Sequence, residues 1–176
     1  MHKTISQTYL AEQKKLHENP NYGQTARIYA DSIKKILVDS NSKTLTDYGA
    51  GKKILKKSLN DIGYYNFEYF PYDPAFPEYG EPKPADFISC IDVMEHIEPD
   101  YLNAVLDEIQ FLTKKLCFFS IATLPARKKL SDGRNAHLIQ KPSRWWLLNL
   151  CNRFNIEHLQ NVPGKGFVLV CKSLKL

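Results

Sequence analysis

The chain has 176 residues, 43% of them hydrophobic, and a formal net charge of +5 at pH 7. That length suits one domain whose core needs no disulfide or metal staple. The longest apolar run, near 116–124, is too short to span a bilayer, and the opening MHKTISQTYLAEQKK lacks the apolar stretch of a secretory signal.

Lysines are spread along the chain, which reads as solvated faces more than as a nucleic-acid groove. Cys90, Cys117, Cys151 and Cys171 are scattered in apolar contexts without a C-x-x-C pair. They read as buried free thiols, and so as a protein of the reducing cytoplasm.

In chain order, residues 3–17 suit a short polar helix, and HENPNYG (17–23) breaks it. Residues 24–38 carry Tyr29, Ile33, Ile36 and Leu37 on one helical face. A strand at 43–47 runs into a glycine turn and a helix reaching about Asn60, with Gly63 as its stop. NFEYFPYD (66–73) reads as a second strand ending at Asp73. The segment 74–84 holds four prolines and forms a rigid loop. ADFISCIDV (85–93) is a strand covered on both faces. EPDYLNAVLDEIQFLTKK is the clearest helix, with Pro99 in its first turn and a stripe of Leu102, Val105, Leu106, Ile109 and Leu112. LCFFSIATL (116–124) is another buried strand, followed by a long polar loop. SRWWLLNLCNRF reads as a helix, and the chain finishes with two antiparallel strands about a PGKG turn. Strands alternating with helices predict an α/β, Rossmann-like fold: a mostly parallel sheet, helices on both faces and an antiparallel C-terminal strand. The chain is expected to be one domain over 1–176, with 1–23 as a lid.

In such sheets ligands bind beyond the carboxyl ends of the strands. Asp47–Gly51, Asp73, Asp92–His96 and the loop after Leu124 therefore share one edge. Gly49 and Gly51 allow positive φ and close approach of a ligand to the backbone. A phosphate loop requires G-x-x-x-x-G-K-[ST], which is absent, and a dinucleotide fingerprint requires glycine or alanine where Ile54 stands. A carboxylate just before the glycines suits an ammonium better than a pyrophosphate. Asp73, ending the second strand, suits ribose hydroxyls. A nucleoside joined to an amino acid answers both, which points to S-adenosylmethionine.

LTDYGAGKK, YDP and ADFISCIDVMEHI together resemble the class I S-adenosylmethionine-dependent methyltransferases. DGRNAHLIQKP…WW and HENPNYG resemble a group of short bacterial and phage proteins of that kind. The resemblance covers nearly the whole chain. It implies cofactor contacts from Asp47, Tyr48, Gly49, Gly51, Asp73, Asp92 and Val93. Two departures stand out. Lys53 replaces the third glycine and could crowd the methionine end. The usual third strand is missing, its place taken by the proline-rich loop, which leaves adenine contacts to Asp86 or the Cys90–Asp92 edge.

Asp92, Glu95 and His96 stand at i, i+3 and i+4 and would share one face of a helix starting near Asp92. With a distal His137 they are similar to the metal sites of small-RNA 2′-O-methyltransferases and some ubiquinone-pathway O-methyltransferases. The resemblance thus implies Mg²⁺ or Mn²⁺ held by Asp92, Glu95, His96 and His137. The metal-free alternative keeps Glu95 as a helix cap and His96 or His137 as the base. Arg134 and Asn135 suit a phosphate- or sugar-bearing acceptor, against an ordinary turn at Asp132–Gly133. Trp146 is a candidate acceptor contact or core residue. Tyr9, His17 and Tyr22 are candidate lid residues, against a merely packed N-terminal helix. The expected reaction is O-methylation of a small polar acceptor, with a sugar or phosphorylated precursor as examples. A nucleic acid is the less favoured acceptor, and a non-catalytic binding protein is the other alternative.

Overall fold

The computed structural model describes residues 4–174. Its strands are β1 (Thr44–Tyr48), β2 (Glu68–Tyr72), β3 (Ala85–Ile91), β4 (Thr113–Ala122), β5 (Phe154–Val162) and β6 (Gly166–Ser173). They form a six-stranded sheet in the order β2-β1-β3-β4-β6-β5. The first four run parallel, and β6 is antiparallel to both β4 and β5. The helices are α1 (Gln7–His17), α2 (Ala30–Asp39), α3 (Ile54–Asp61), α4 (Leu102–Leu112) and α5 (Ser143–Leu150). The expected Rossmann-like α/β fold is the observed one.

Period-two alternation in the strands builds two cores, one on each sheet face. Leu45, Phe87, Ile91 and Phe118 pack with Ile33 and Leu37 of α2 and Leu55 and Leu59 of α3. Ile88, Cys90, Cys117 and Phe119 pack with the α4 stripe and with Trp146 and Leu150 of α5. All five residues of the expected α4 stripe are buried.

β2 is the sheet's edge among the described residues, so the third strand is indeed missing. Pro71, which has no N–H to offer, sits on that edge strand. The proline-rich loop instead carries a short 3₁₀ turn at Pro77–Tyr79.

Several local expectations need correction. β4 begins at Thr113, so the TKK assigned to the preceding helix is extended. β-branched Thr113, with its hydroxyl donating to the Ile109 carbonyl, closes α4. No α-helix starts at Asp92. Asp92 is left-handed (φ 59°) and Met94–His96 is one 3₁₀ turn. Extended Ile97 and Glu98 then lead into Pro99, which disfavours helix in the residue before it. Cys151 is exposed at the end of α5, while the other three thiols are buried, and all four are free. Asp86 opens β3 at the opposite end of the strand from Asp92, accepting from the Lys43 amide, and so takes no part in the ligand edge. No helix among the described residues is long and apolar enough to cross a membrane.

Candidate active site

The carboxyl ends of β1, β2 and β3 open into a cavity lined by Asp47, Tyr48, Gly49 and Gly51, by Asp73, and by Asp92 and Val93. All seven residues expected to face the cofactor therefore converge. Asp47 is 4% exposed and accepts from Tyr69 Oη at 2.7 Å and Ser89 Oγ at 2.8 Å. Burial pushes its carboxyl up to about 6, against the two hydroxyls that favour the ionised form. Asp73 accepts from the Gly51 amide at 2.9 Å and the Ala75 amide at 2.8 Å, locking the glycine turn to the end of β2. Burial raises its carboxyl as well.

Gly49 has φ 81°, and a Cβ there would lie 2.3 Å from Val93 Cγ2. It is required for packing against the 92–93 turn as much as for any ligand. Lys53 adopts the left-handed conformation expected of the glycine it replaces (φ 57°, ψ 36°). Its ammonium lies over the Tyr79 ring at 4.2 Å and the residue does not line the cavity, so the expected crowding is not seen.

α1 and the segment after it close the cavity from above, contributing Tyr9, Gln13, His17 and Tyr22. Ser6 caps α1 and, with its own amide, donates to Glu98 at 2.7 and 2.8 Å. Glu12 accepts from Ser131 farther along, and Lys52 donates to the Asn19 carbonyl. His17 rests between Tyr22 and Phe76, with Nε2 3.9 Å from Asp73. Burial lowers it to about 4, so it is neutral at pH 7 and the contact is no ion pair. His17 Nδ1 is buried with no hydrogen-bond partner among the described residues, and Tyr9 Oη and Gln13 Nε2 have none beyond their contact with each other. An orphaned buried atom costs roughly 1–3 kcal/mol. A polar ligand in the cavity would satisfy it. The donor set, the two carboxylates and the side-chain-free turn together fit the cofactor expected from the sequence.

A second cavity shares Tyr22, Gly23, Thr25, Asp92 and His96 with the first and adds His137. His96 Nδ1 is 2.8 Å from the Ala136 carbonyl and His137 Nδ1 is close to the Leu124 carbonyl. A carbonyl only accepts, so each ring carries a proton on Nδ1 and leaves Nε2 outside that bond. Burial holds His96 at about 4, hence neutral. Ligand atoms of Asp92, His96 and His137 lie within 4.8 Å of one another, an arrangement that fits a cation. Glu95 is not brought into this trio. It is fully buried, with Oε1 accepting from the Ala122 amide at 2.7 Å. Burial, then the nearby Asp92, pushes its carboxyl well above the usual range, and its Oε2 has no hydrogen-bond partner among the described residues. Thr25 Oγ1 donates to Asp92 Oδ2 at 2.8 Å.

Three other expected contacts lie elsewhere. Arg134 pairs with Asp132 across the Gly133 turn and lines neither cavity. Asn135 braces its own loop, bonding both the amide and the carbonyl of Ala126. Trp146 is fully buried in the core, because its face of α5 is the one turned to the sheet. Residues missed from the sequence include Tyr69 and Ser89, which hold Asp47, and Thr25, which holds Asp92. They come from other strands or from a distant turn, and no local spacing marks them.

A family model described as a methyltransferase domain matches residues 22–168. No protein of curated function has a matching sequence. Among solved structures, 1,6-didemethyltoxoflavin-N1-methyltransferase from Burkholderia thailandensis, bound to 1,6-didemethyltoxoflavin and S-adenosylhomocysteine, superposes with a TM-score of 0.69. It is 13% identical, over 99% of this chain and 94% of that one. The N-methyltransferase NodS from Bradyrhizobium japonicum, with S-adenosylhomocysteine, gives 0.55 at 9% identity, over 97% of this chain and 100% of that one. The small RNA methyltransferase HEN1 gives 0.63 at 13% identity, over 100% of this chain but 27% of that one. At such identities the likeness is one of fold.

Proposed function

The chain belongs to the methyltransferase-domain family of S-adenosylmethionine-dependent enzymes, and on that premise we propose that it methylates an oxygen of a small polar acceptor. The observation that carries this reading is the pair of cavities meeting at Asp92 and His96, one walled by the glycine turn and the other by two imidazoles. S-adenosylmethionine, when bound, supplies a methyl activated on a sulfonium, and its loss leaves S-adenosylhomocysteine.

In this reading Asp47 faces the ligand's amino group and Asp73 its ribose hydroxyls, while α1 excludes water. Tyr9, Gln13 and His17 offer polar atoms from the lid. An acceptor oxygen in the second cavity lies beside Nε2 of His96 and of His137. As that oxygen forms its bond to the methyl carbon and the carbon–sulfur bond breaks, the hydroxyl proton passes to one of these nitrogens. Alignment and water exclusion supply most of the rate, and the base a further factor of about 10²–10⁴.

A second reading rests on the same trio. Asp92, His96 and His137 would hold a divalent cation, which would lower the pKa of an acceptor hydroxyl. Two imidazoles and one carboxylate suit Mn²⁺ better than Mg²⁺.

The test is transfer of label from radiolabelled S-adenosylmethionine into a cell extract separated into small molecules and nucleic acids. The expected result is label on small molecules, lost at least 100-fold in His96→Ala. Label on nucleic acid alone would contradict the acceptor class. Loss in His137→Ala together with loss under a chelator supports the metal reading, and full activity in His137→Ala removes it.

A further inference from the structure

The second cavity carries a charge pattern that neither imidazole explains. Arg127, Lys128 and Lys165 line it, two from the loop after β4 and one from the β5–β6 turn. None of the three has a carboxylate partner among the described residues. Lys128 rests over the Tyr22 ring at 4.8 Å, and burial, then the charge of Lys128, lowers nearby Lys52. By contrast Arg134, the cation the sequence favoured for the acceptor, is already paired with Asp132. The carboxylate facing the cavity is Asp92, which is itself bonded by Thr25.

Three cations lining one cavity repel one another, and an anion among them would relieve that repulsion. A phosphate dianion matches this set better than a single carboxylate. It has three acceptor oxygens and close to two charges at pH 7. The cations converge on one cavity and are not strung along an extended stripe, which favours a compact anion over a polynucleotide.

We propose that the acceptor is a small phosphate ester whose phosphate is held by Arg127, Lys128 and Lys165, with its hydroxyl turned toward His96 and His137. This deepens the O-methyltransferase reading and rests on it. The phosphate fixes the acceptor's register, so that one hydroxyl faces the cofactor cavity. The bonds made and broken are those already described, and the phosphate takes no part in them.

The experiment is calorimetric titration with ribose 5-phosphate, ribose and a short single-stranded oligoribonucleotide, with and without saturating S-adenosylhomocysteine. It is run on wild type and on the R127Q/K128Q/K165Q variant. S-adenosylhomocysteine binding and a thermal melt report whether the variant is folded. The expected result is ribose 5-phosphate binding at least tenfold tighter than ribose, lost at least tenfold in the variant, with S-adenosylhomocysteine affinity held within twofold. Ribose 5-phosphate binding that is absent, or unchanged in the folded variant, overturns the proposal. An oligonucleotide that binds more tightly than the sugar phosphate also overturns it, in favour of a nucleic-acid acceptor. Should S-adenosylhomocysteine itself fail to bind wild type, the cofactor reading falls, and the sugar-phosphate titration without it still decides the anion site. Single variants then apportion the effect among the three side chains.

Discussion

At the scale of single residues, Asp47 shows how burial turns a recognisable motif into a titrating group. Its carboxyl is raised to about 6 by burial, although Tyr69 and Ser89 both donate to it. A ligand ammonium favours the ionised form, so below pH 6 binding must first expel a proton. Affinity for S-adenosylhomocysteine should therefore fall about tenfold from pH 7 to pH 5. Asp73 is also raised by burial, so the diagnostic quantity is the difference made by Asp47→Asn. That variant should bind more weakly at pH 7 and show a visibly flatter pH dependence. An unchanged slope would mean that Asp47 does not face the amino group. Asp47, Gly49, Gly51 and Asp73 were legible in the sequence because each ends a strand or sits in the turn that follows it. Glu95 was misplaced because i, i+3, i+4 geometry presumes a helix. The left-handed Asp92 instead rotates Glu95 into the core and leaves Asp92 and His96 on the cavity. Trp146 shows a limit of pattern reading: adjacent tryptophans announce that one is buried, not what the other touches.

At the scale of elements, α1 and residues 126–138 share a small apolar cluster beside the two main cores, and Ile139 ties the end of that loop into one of them. Tyr9 packs on Leu130 and Ala136, with Ile5, Leu16, Ala126 and Leu138 around them. Polar contacts hold the ends: Ser6 to Glu98, Ser131 to Glu12 and Lys52 to Asn19. Hydrogen bonds of this kind contribute a net of about 0.5–1.5 kcal/mol each, somewhat more where a carboxylate accepts. The lid should thus open at modest cost, and carry the acceptor loop with it. Hydrogen exchange is expected to slow in 7–17 and 126–139 together when S-adenosylhomocysteine is added. Protection confined to the β1–α3 turn would contradict a closing lid. The sequence supplied the helix with Tyr9 and His17, and Tyr22 in the segment after it. The contact with the loop over a hundred residues later follows from the fold alone.

At the scale of the whole molecule, the sheet order and the two-faced burial follow from alternation of strand and helix patterns, and both were legible. The missing third strand was legible too, because prolines spaced along 74–84 cannot pair in a ladder. The acceptor side was less so. Arg127, Lys128 and Lys165 are ordinary surface cations until the β5–β6 hairpin folds against β4 and brings Lys165 to the same cavity. Net charge gives the sum of such residues and not their gathering.

The central claim is that the glycine turn, Asp73 and α1 enclose one cofactor. Its most direct test is calorimetric titration of S-adenosylhomocysteine into wild type and Asp73→Ala, with a thermal melt to establish folding. Micromolar binding by wild type, weakened at least tenfold in Asp73→Ala, about 1.4 kcal/mol, is the predicted result. No binding by wild type, or unchanged binding by a folded Asp73→Ala, would contradict it.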